Sequence, residues 1–235
     1  MERLALLRFL ENVRLGRHIR GRGVEIGALW RQFPLPRRAS AWYVDRLDSD
    51  ELNAQYPELN GRILKPDLLA DAVDLPFPPA SLRFLIASHV LEHLPFPLTA
   101  LRAWYNVLAP GGVLLLRVPD KRYTFDRGRD RTPLARLTKE DDNPQLFEPR
   151  RHYADWVEKV GGINAGRPEF GATVDDLIRR DYSIHFHVWI DEDIREILNF
   201  SRGAWNCDWD AVVFWKARFY RKETTVLLRR RGAVV

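Results

Sequence analysis

The chain has 235 residues, 46% of them hydrophobic, which suits one sizeable domain with a packed core and excludes wholesale disorder. Lys and Arg number 37 against 32 Asp and Glu, a formal net charge of +5 that suits an anionic partner without establishing one. The single cysteine, Cys207, excludes an internal disulfide framework and a cysteine zinc site, and no apolar run is long enough to span a bilayer.

The first segment, MERLALLRFLENVRLGR, is interrupted by Arg8 and Glu11. It is a poor signal peptide, consistent with a cytoplasmic location, and reads as a short amphipathic helix packing on the domain rather than on a membrane surface. Val24–Ile26 is a short strand ending in Gly27, and SAWYVDR is a second strand ending at Asp45 and Arg46. Asp48 to Pro57 reads as a helix capped by Asp48 or Ser49. An extended piece then leads into a loop carrying Asp67, Asp71 and Asp74. Leu82–Ser88 is a near-continuous apolar run, as expected of a strand buried on both faces. Leu98, Leu101, Trp104, Tyr105 and Leu108 recur at helical spacing, Pro110-Gly111-Gly112 reads as the helix stop, and VLLLRVP as the next strand. Residues 121–188 break this alternation and read as an inserted cap with one helix around EPRRHYADWVEKV. Asp191–Phe200 is a helix with an acidic first turn, and DAVVFWKARFY and ETTVLLRR form a closing antiparallel pair.

The pattern predicts a single α/β domain over 1–235. Its mostly parallel, Rossmann-like sheet carries helices on both faces, a C-terminal hairpin, and a cap between the fifth strand and the last helix. Right-handed crossovers put every parallel strand's carboxyl end on one edge. Glu25–Gly27, Asp45, Asp71 and Ser88-His89 therefore converge on one crevice, where open α/β sheets bind ligands.

The segments VEIGA, YVDR, ADAVDLPFP and FLIASHVLEHLPFPLTALRAWYNVLAPGGVLLLRVPD resemble the class I S-adenosylmethionine-dependent methyltransferases, most closely their small-molecule, type 11-like branch. The likeness covers roughly residues 20 to 120, with one glycine, Gly27, where the family usually has two or three. It implies S-adenosylmethionine as cofactor. Gly27 and Ala28 would then stand at the methionyl loop, Glu25 at the cofactor's ammonium, Asp45 and Arg46 at the ribose, Asp71 and the Ala72 amide at the adenine, and Ser88 and His89 at the methionine end. The implied reaction is methyl transfer to a small-molecule or sugar acceptor, with oxygen the expected nucleophile.

A hydroxyl nucleophile must lose its proton, a task suited to histidine. His152, His185 and His187 are the candidates, with Asp126 beside them. If Ser183–Trp189 is extended, His185 and His187 share a face, where a divalent metal with His152 or Asp126 as third ligand is an alternative use. A third reading, of equal weight, is that one or both are buried, hydrogen-bonded core residues. Asp120, Tyr123 and Arg127, just past the fifth strand, are expected at the substrate. Rival readings are an RNA methyltransferase, a binding or scaffold protein retaining the fold, and a nicotinamide-dependent dehydrogenase. Scattered basic residues disfavour nucleic acid, and the missing G-x-G-x-x-G disfavours the dehydrogenase.

Overall fold

The computed structural model describes residues 2–232. Strands β1 (Gly21–Ile26), β2 (Ala39–Asp45), β3 (Leu68–Leu69), β4 (Leu82–Ser88) and β5 (Leu108–Pro119) are parallel. With β6 (Trp209–Trp215) and β7 (Glu223–Arg230) they form one sheet in the order β3-β2-β1-β4-β5-β7-β6, and β7 runs antiparallel to both neighbours. The order reverses between β1 and β4, which opens a crevice at their carboxyl ends. Gly23 lets β1 and β4 approach at the amino end of their pairing, because a Cβ at that position would lie 2.4 Å from the Phe84 carbonyl oxygen.

The helices are α1 (Glu2–Gly16), α2 (Ser49–Gln55), α3 (Pro97–Val107), α4 (Leu134–Asp142), α5 (Pro149–Lys159), α6 (Phe170–Arg179) and α7 (Asp191–Trp205). α3 starts on Pro97 and buries Leu98, Leu101 and Trp104 against the sheet. The Trp104 indole donates to the Ala72 carbonyl at 2.8 Å and so fixes the loop after β3. No helix among the described residues is long and apolar enough to cross a membrane.

Two expectations change, and one connection departs from the alternation of strands and helices. The β1–β2 connection, residues 27–38, carries no helix: Pro34 and Pro36 remove backbone donors, and Phe33 drops instead into the core formed by Leu15, Ile19, Phe84 and Leu227. Pro110-Gly111-Gly112 does not stop the preceding helix, because β5 has already begun at Leu108. The glycines lie where pairing with β4 slips between Leu82 and Phe84, and Gly111 takes φ +76°. Finally, α1 meets the domain largely through polar groups. Arg8 pairs with Glu223, Glu11 with Arg221, and Asn12 with Arg117, at positions that share one face. Leu6, Phe9, Leu10 and Val13 consequently point outward and are exposed.

The segment between β5 and α7 has a core of its own, built on Tyr153, Val157, Val174, Leu177 and Ile184. It is tied to the sheet's carboxyl edge by an Arg46–Asp181 ion pair, by Gln55 donating to the Asp181 carbonyl, and by the Phe186 and His187 amides donating to the Glu92 carbonyl.

Candidate functional site

Strand register fixes the row of tip residues. The Gly27 amide donates to the Val44 carbonyl and the Ala70 amide to the Asp45 carbonyl, while Ile26 pairs with Ala87. Asp71, Asp45, Gly27 and Ser88 thus follow one another along the carboxyl edge. Gly27 takes φ +62°, and a Cβ there would meet Val90 at 3.0 Å, so backbone alone lines this point. Ala28 follows, its carbonyl closing a turn with the Arg31 amide. Asp45 is half-buried and receives the Leu47 amide at 3.3 Å; burial raises its carboxyl above the usual range. Asp71 is exposed and accepts from the Val73 amide, with Ala72 buried behind it. Arg46 is turned to Asp181 in the cap segment.

Glu25 does not reach the crevice as an open carboxylate. Both its oxygens accept from the Phe33 amide, at 2.9 and 3.1 Å, and burial pushes its carboxyl up to about 7. Its neighbours Val24 and Ile26 fill the opposite face, so alternation sends Glu25 under the Gly27–Phe33 loop. It holds that loop in place.

His89 sits in the left-handed region at φ +57°, uncommon for a residue with a Cβ. Its amide donates to the Arg117 carbonyl and its Nε2 meets Glu223 Oε2 at 2.7 Å. Burial alone would lower its pKa, but Glu223 and Glu92 outweigh this and raise it to about 10. The strand tip therefore carries an imidazolium.

The cap histidines separate into two kinds. The bend at Phe186 prevents His185 and His187 from sharing a face. His185 Nδ1 donates to Asp126 Oδ2 at 2.6 Å, and Asp126 is held by Arg129 Nη1 at 2.8 Å. The remaining His185 nitrogen, Nε2, lies 3.9 Å from Glu92 Oε1. His187 Nε2 instead meets the Pro95 carbonyl, and its ring stacks on Trp189. His152 Nδ1 meets the Phe186 carbonyl and its ring stacks on Phe147. Burial pushes His187 down to about 3; burial and then Arg136 push His152 down to about 4. Both are neutral core residues. Asp120 is fully buried and clasped by Arg122 Nε and Nη2 at 2.9 and 2.6 Å, so it is closed to a substrate. Tyr123 is half-buried beneath the Arg122 guanidinium, and Arg127 is exposed. The sequence left Glu92 without a role and offered His93 as a packing or helix-start residue; the two complete the His185 cluster. Their adjacency at a strand tip was the available signal.

Neutral His152 has a measurable cost in acid. The unfolded chain takes up its proton near pH 6.5 and the folded chain only near 4, so stability falls across that interval, by on the order of 3 kcal/mol for this residue. His152→Gln flattens the acid limb of a urea-midpoint-against-pH curve between pH 6.5 and 4; an unchanged slope would contradict the assignment.

A separate cleft of about 490 Å3, lined by Arg17, His18, Arg20, Arg38, Gly111 and Arg229, opens at the amino edge of the parallel strands, away from the tips.

A family profile described as a methyltransferase domain matches residues 33–116. A protein of Mycolicibacterium smegmatis described as a probable S-adenosylmethionine-dependent methyltransferase is 37% identical over 134 residues, 54% of this chain and 49% of the relative. The chain thus spans about half the length of that curated relative. A solved structure provisionally described as a zinc-dependent alcohol dehydrogenase from Rhodobacter sphaeroides shares the fold, with TM-score 0.59, 15% identity, and coverage of 94% of this chain and 89% of that one. A SAM-dependent methyltransferase from Aquifex aeolicus gives TM-score 0.49 and 11% identity, covering 94% and 88%. Over residues 33–116 the chain is thus similar to a methyltransferase domain, and over about half its length to a probable S-adenosylmethionine-dependent methyltransferase.

Proposed function

We propose that the protein transfers a methyl group from S-adenosylmethionine to an oxygen of a small-molecule or sugar acceptor. The observation that carries this reading is the row of Gly27, Asp45, Asp71 and Ser88 on adjoining strand tips, beneath a segment with polar groups of its own. The residues fit the cofactor. Asp45 has acceptor capacity left for two ribose hydroxyls, Asp71 and the Ala72 amide suit the adenine edge, and Gly27 admits the methionyl chain without a side chain in the way. When bound, S-adenosylmethionine supplies the electrophilic methyl.

The chain's own residues bind, orient and shield. Glu25 acts through the loop it pins and is a positioning residue. Ser88 and the His89 imidazolium border the methionine end. Residues 121–188 serve as the acceptor cap, fastened over the crevice by Arg46–Asp181 and the Glu92 carbonyl. Methyl transfer is an in-line displacement, so this positioning carries much of the catalysis. The acceptor hydroxyl is activated at Glu92, His93 and His185. The basic cleft at the amino edge lies away from these groups, which favours a small acceptor over RNA.

Asp45→Asn weakens binding of S-adenosylhomocysteine by about 10–100-fold, because hydrogen bonds to a charged acceptor are lost. Calorimetry of folded variant and parent checks this; equal affinities would remove Asp45 from the site. The reaction is tested with methyl-labelled S-adenosylmethionine and a panel of sugars, small hydroxylated compounds and RNA. Label in a sugar or small hydroxylated compound is expected, whereas label in RNA, or in nothing, overturns the proposed acceptor.

A further inference from the structure

Glu92 lies in the turn Leu91–His93 just past β4 and is 0% exposed, yet among the described residues neither carboxylate oxygen has a hydrogen-bond partner. A buried, unsatisfied carboxylate costs several kcal/mol. Among the described residues, the basic groups within 4.0 Å of it are all imidazoles: His89 Nδ1 at 3.5 Å, His185 Nε2 at 3.9 Å and His93 Nε2 at 4.0 Å. Two of these rings are oriented from behind. His93 Nδ1 is bonded to the Ile184 carbonyl at 2.8 Å, and His185 Nδ1 to Asp126 at 2.6 Å. A carbonyl or carboxylate on Nδ1 fixes the proton there, so both Nε2 atoms carry lone pairs toward Glu92. One ligand atom from each of Glu92, His93 and His185 lies within 4.8 Å of the others.

We propose that Glu92, His93 and His185 form a binding site for a divalent transition-metal ion, with Asp126 orienting His185. A purely ionic role for Glu92, as counterion of His89, leaves both oxygens without a hydrogen bond and leaves two aligned lone pairs unused. A metal ion uses all three. Two neutral imidazoles and one carboxylate select zinc-like or iron(II)-like ions over magnesium or calcium. Tetrahedral bonds of about 2.0–2.2 Å place ligand atoms about 3.3 Å apart. Drawing this cluster in by roughly half an ångström, through side-chain rotation, meets that geometry. Three protein ligands leave a coordination position open between the strand tips and the cap. That position suits an acceptor oxygen, whose acidity the ion would raise; this last consequence rests on the proposed methyl transfer, whereas metal binding does not.

The full-length protein, dialysed against chelator and then against buffer, is titrated with zinc and with cobalt(II). The expected result is one site per chain, a four- or five-coordinate cobalt spectrum, paramagnetically shifted ring N–H signals from two histidines, and no competition from magnesium. Glu92→Gln and His185→Ala lose the site, and Asp126→Asn weakens it about 10–100-fold with an altered cobalt spectrum. S-adenosylhomocysteine titrated into the same metal-free samples reports the cofactor site separately. Cofactor binding retained while metal is lost supports the assignment. Metal bound by a parent that ignores S-adenosylhomocysteine leaves the metal site standing and removes the methyl-transfer reading. A parent that takes up no stoichiometric cobalt, or one whose spectrum shows no histidine ligation, overturns the site. Affinity unchanged in Glu92→Gln and His185→Ala overturns it equally.

Discussion

Arg129→Met lowers stability by about 3–5 kcal/mol, the cost of removing one partner from a buried ion pair. Arg129 is 2% exposed and makes three bonds: to Asp126 Oδ1 at 2.8 Å, to the His185 carbonyl at 2.8 Å and to Asp155 Oδ2 at 2.7 Å. Asp155 is partly exposed and can return to water, but Asp126 is buried and cannot. Burial works to raise the Asp126 carboxyl; His185 and then Arg129 outweigh it and hold it below the usual carboxylate range. Its contribution is therefore present above that range and is lost as pH falls through the lowered value. Without Arg129 the anion stays inside with one partner fewer, and the carbonyl of His185 is orphaned. Urea unfolding followed by far-UV circular dichroism measures the loss. A change under about 1 kcal/mol would mean that the cap does not depend on this residue. The companion variant Arg129→Met/Asp126→Leu recovers part of the loss, because removing both charges avoids the stranded one.

Glu223→Ala has an effect of similar size, about 3–5 kcal/mol, by the same reasoning. Glu223 gathers three cations from three elements: Arg8 of α1 at 3.0 Å, Arg117 of β5 at 3.6 Å and His89 at the tip of β4 at 2.7 Å. Burial would raise its carboxyl, yet His89, Arg8 and Arg117 draw it down to about 2. The pair with His89 stabilises fully between the ordinary carboxylate range and the ordinary histidine value. Below that window it is lost as pH falls through about 2; above it, as pH rises through about 10. The alanine variant strands the buried Arg117 and loosens α1, whose other ties include Glu11–Arg221 and Asn12–Arg117. Glu223→Gln keeps an acceptor for His89 but drops the charge, so the His89 titration seen by NMR moves from about 10 toward neutral. An unmoved His89 titration would assign its proton to Glu92 instead.

Much of the sheet is legible because burial on both faces leaves a near-continuous apolar run, as at Leu82–Ser88, and because the strand tips carry acids where an apolar residue would otherwise pack. The departures share a cause: they depend on partners remote in sequence. Glu25 sits in a buried strand and needs a partner, but nothing local says that the partner is the Phe33 amide. The β1–β2 connection carries no helix, and the α1 end and Phe33 cover that face instead. α1 shows an apolar stripe that would ordinarily face inward; here Arg8, Glu11 and Asn12 meet Glu223, Arg221 and Arg117, more than 100 residues away. The histidines show the same limit. His152, His185 and His187 look alike in sequence, and only the groups they face separate two core residues from one whose free nitrogen points at Glu92.

The central claim is that an adenosyl cofactor binds along the tips of β1, β2 and β4. Isothermal titration of the protein with S-adenosylhomocysteine tests it most directly. One site per chain, with a rise in melting temperature that Asp45→Asn reduces, is the predicted result. The absence of both heat and a thermal shift at millimolar ligand would contradict it.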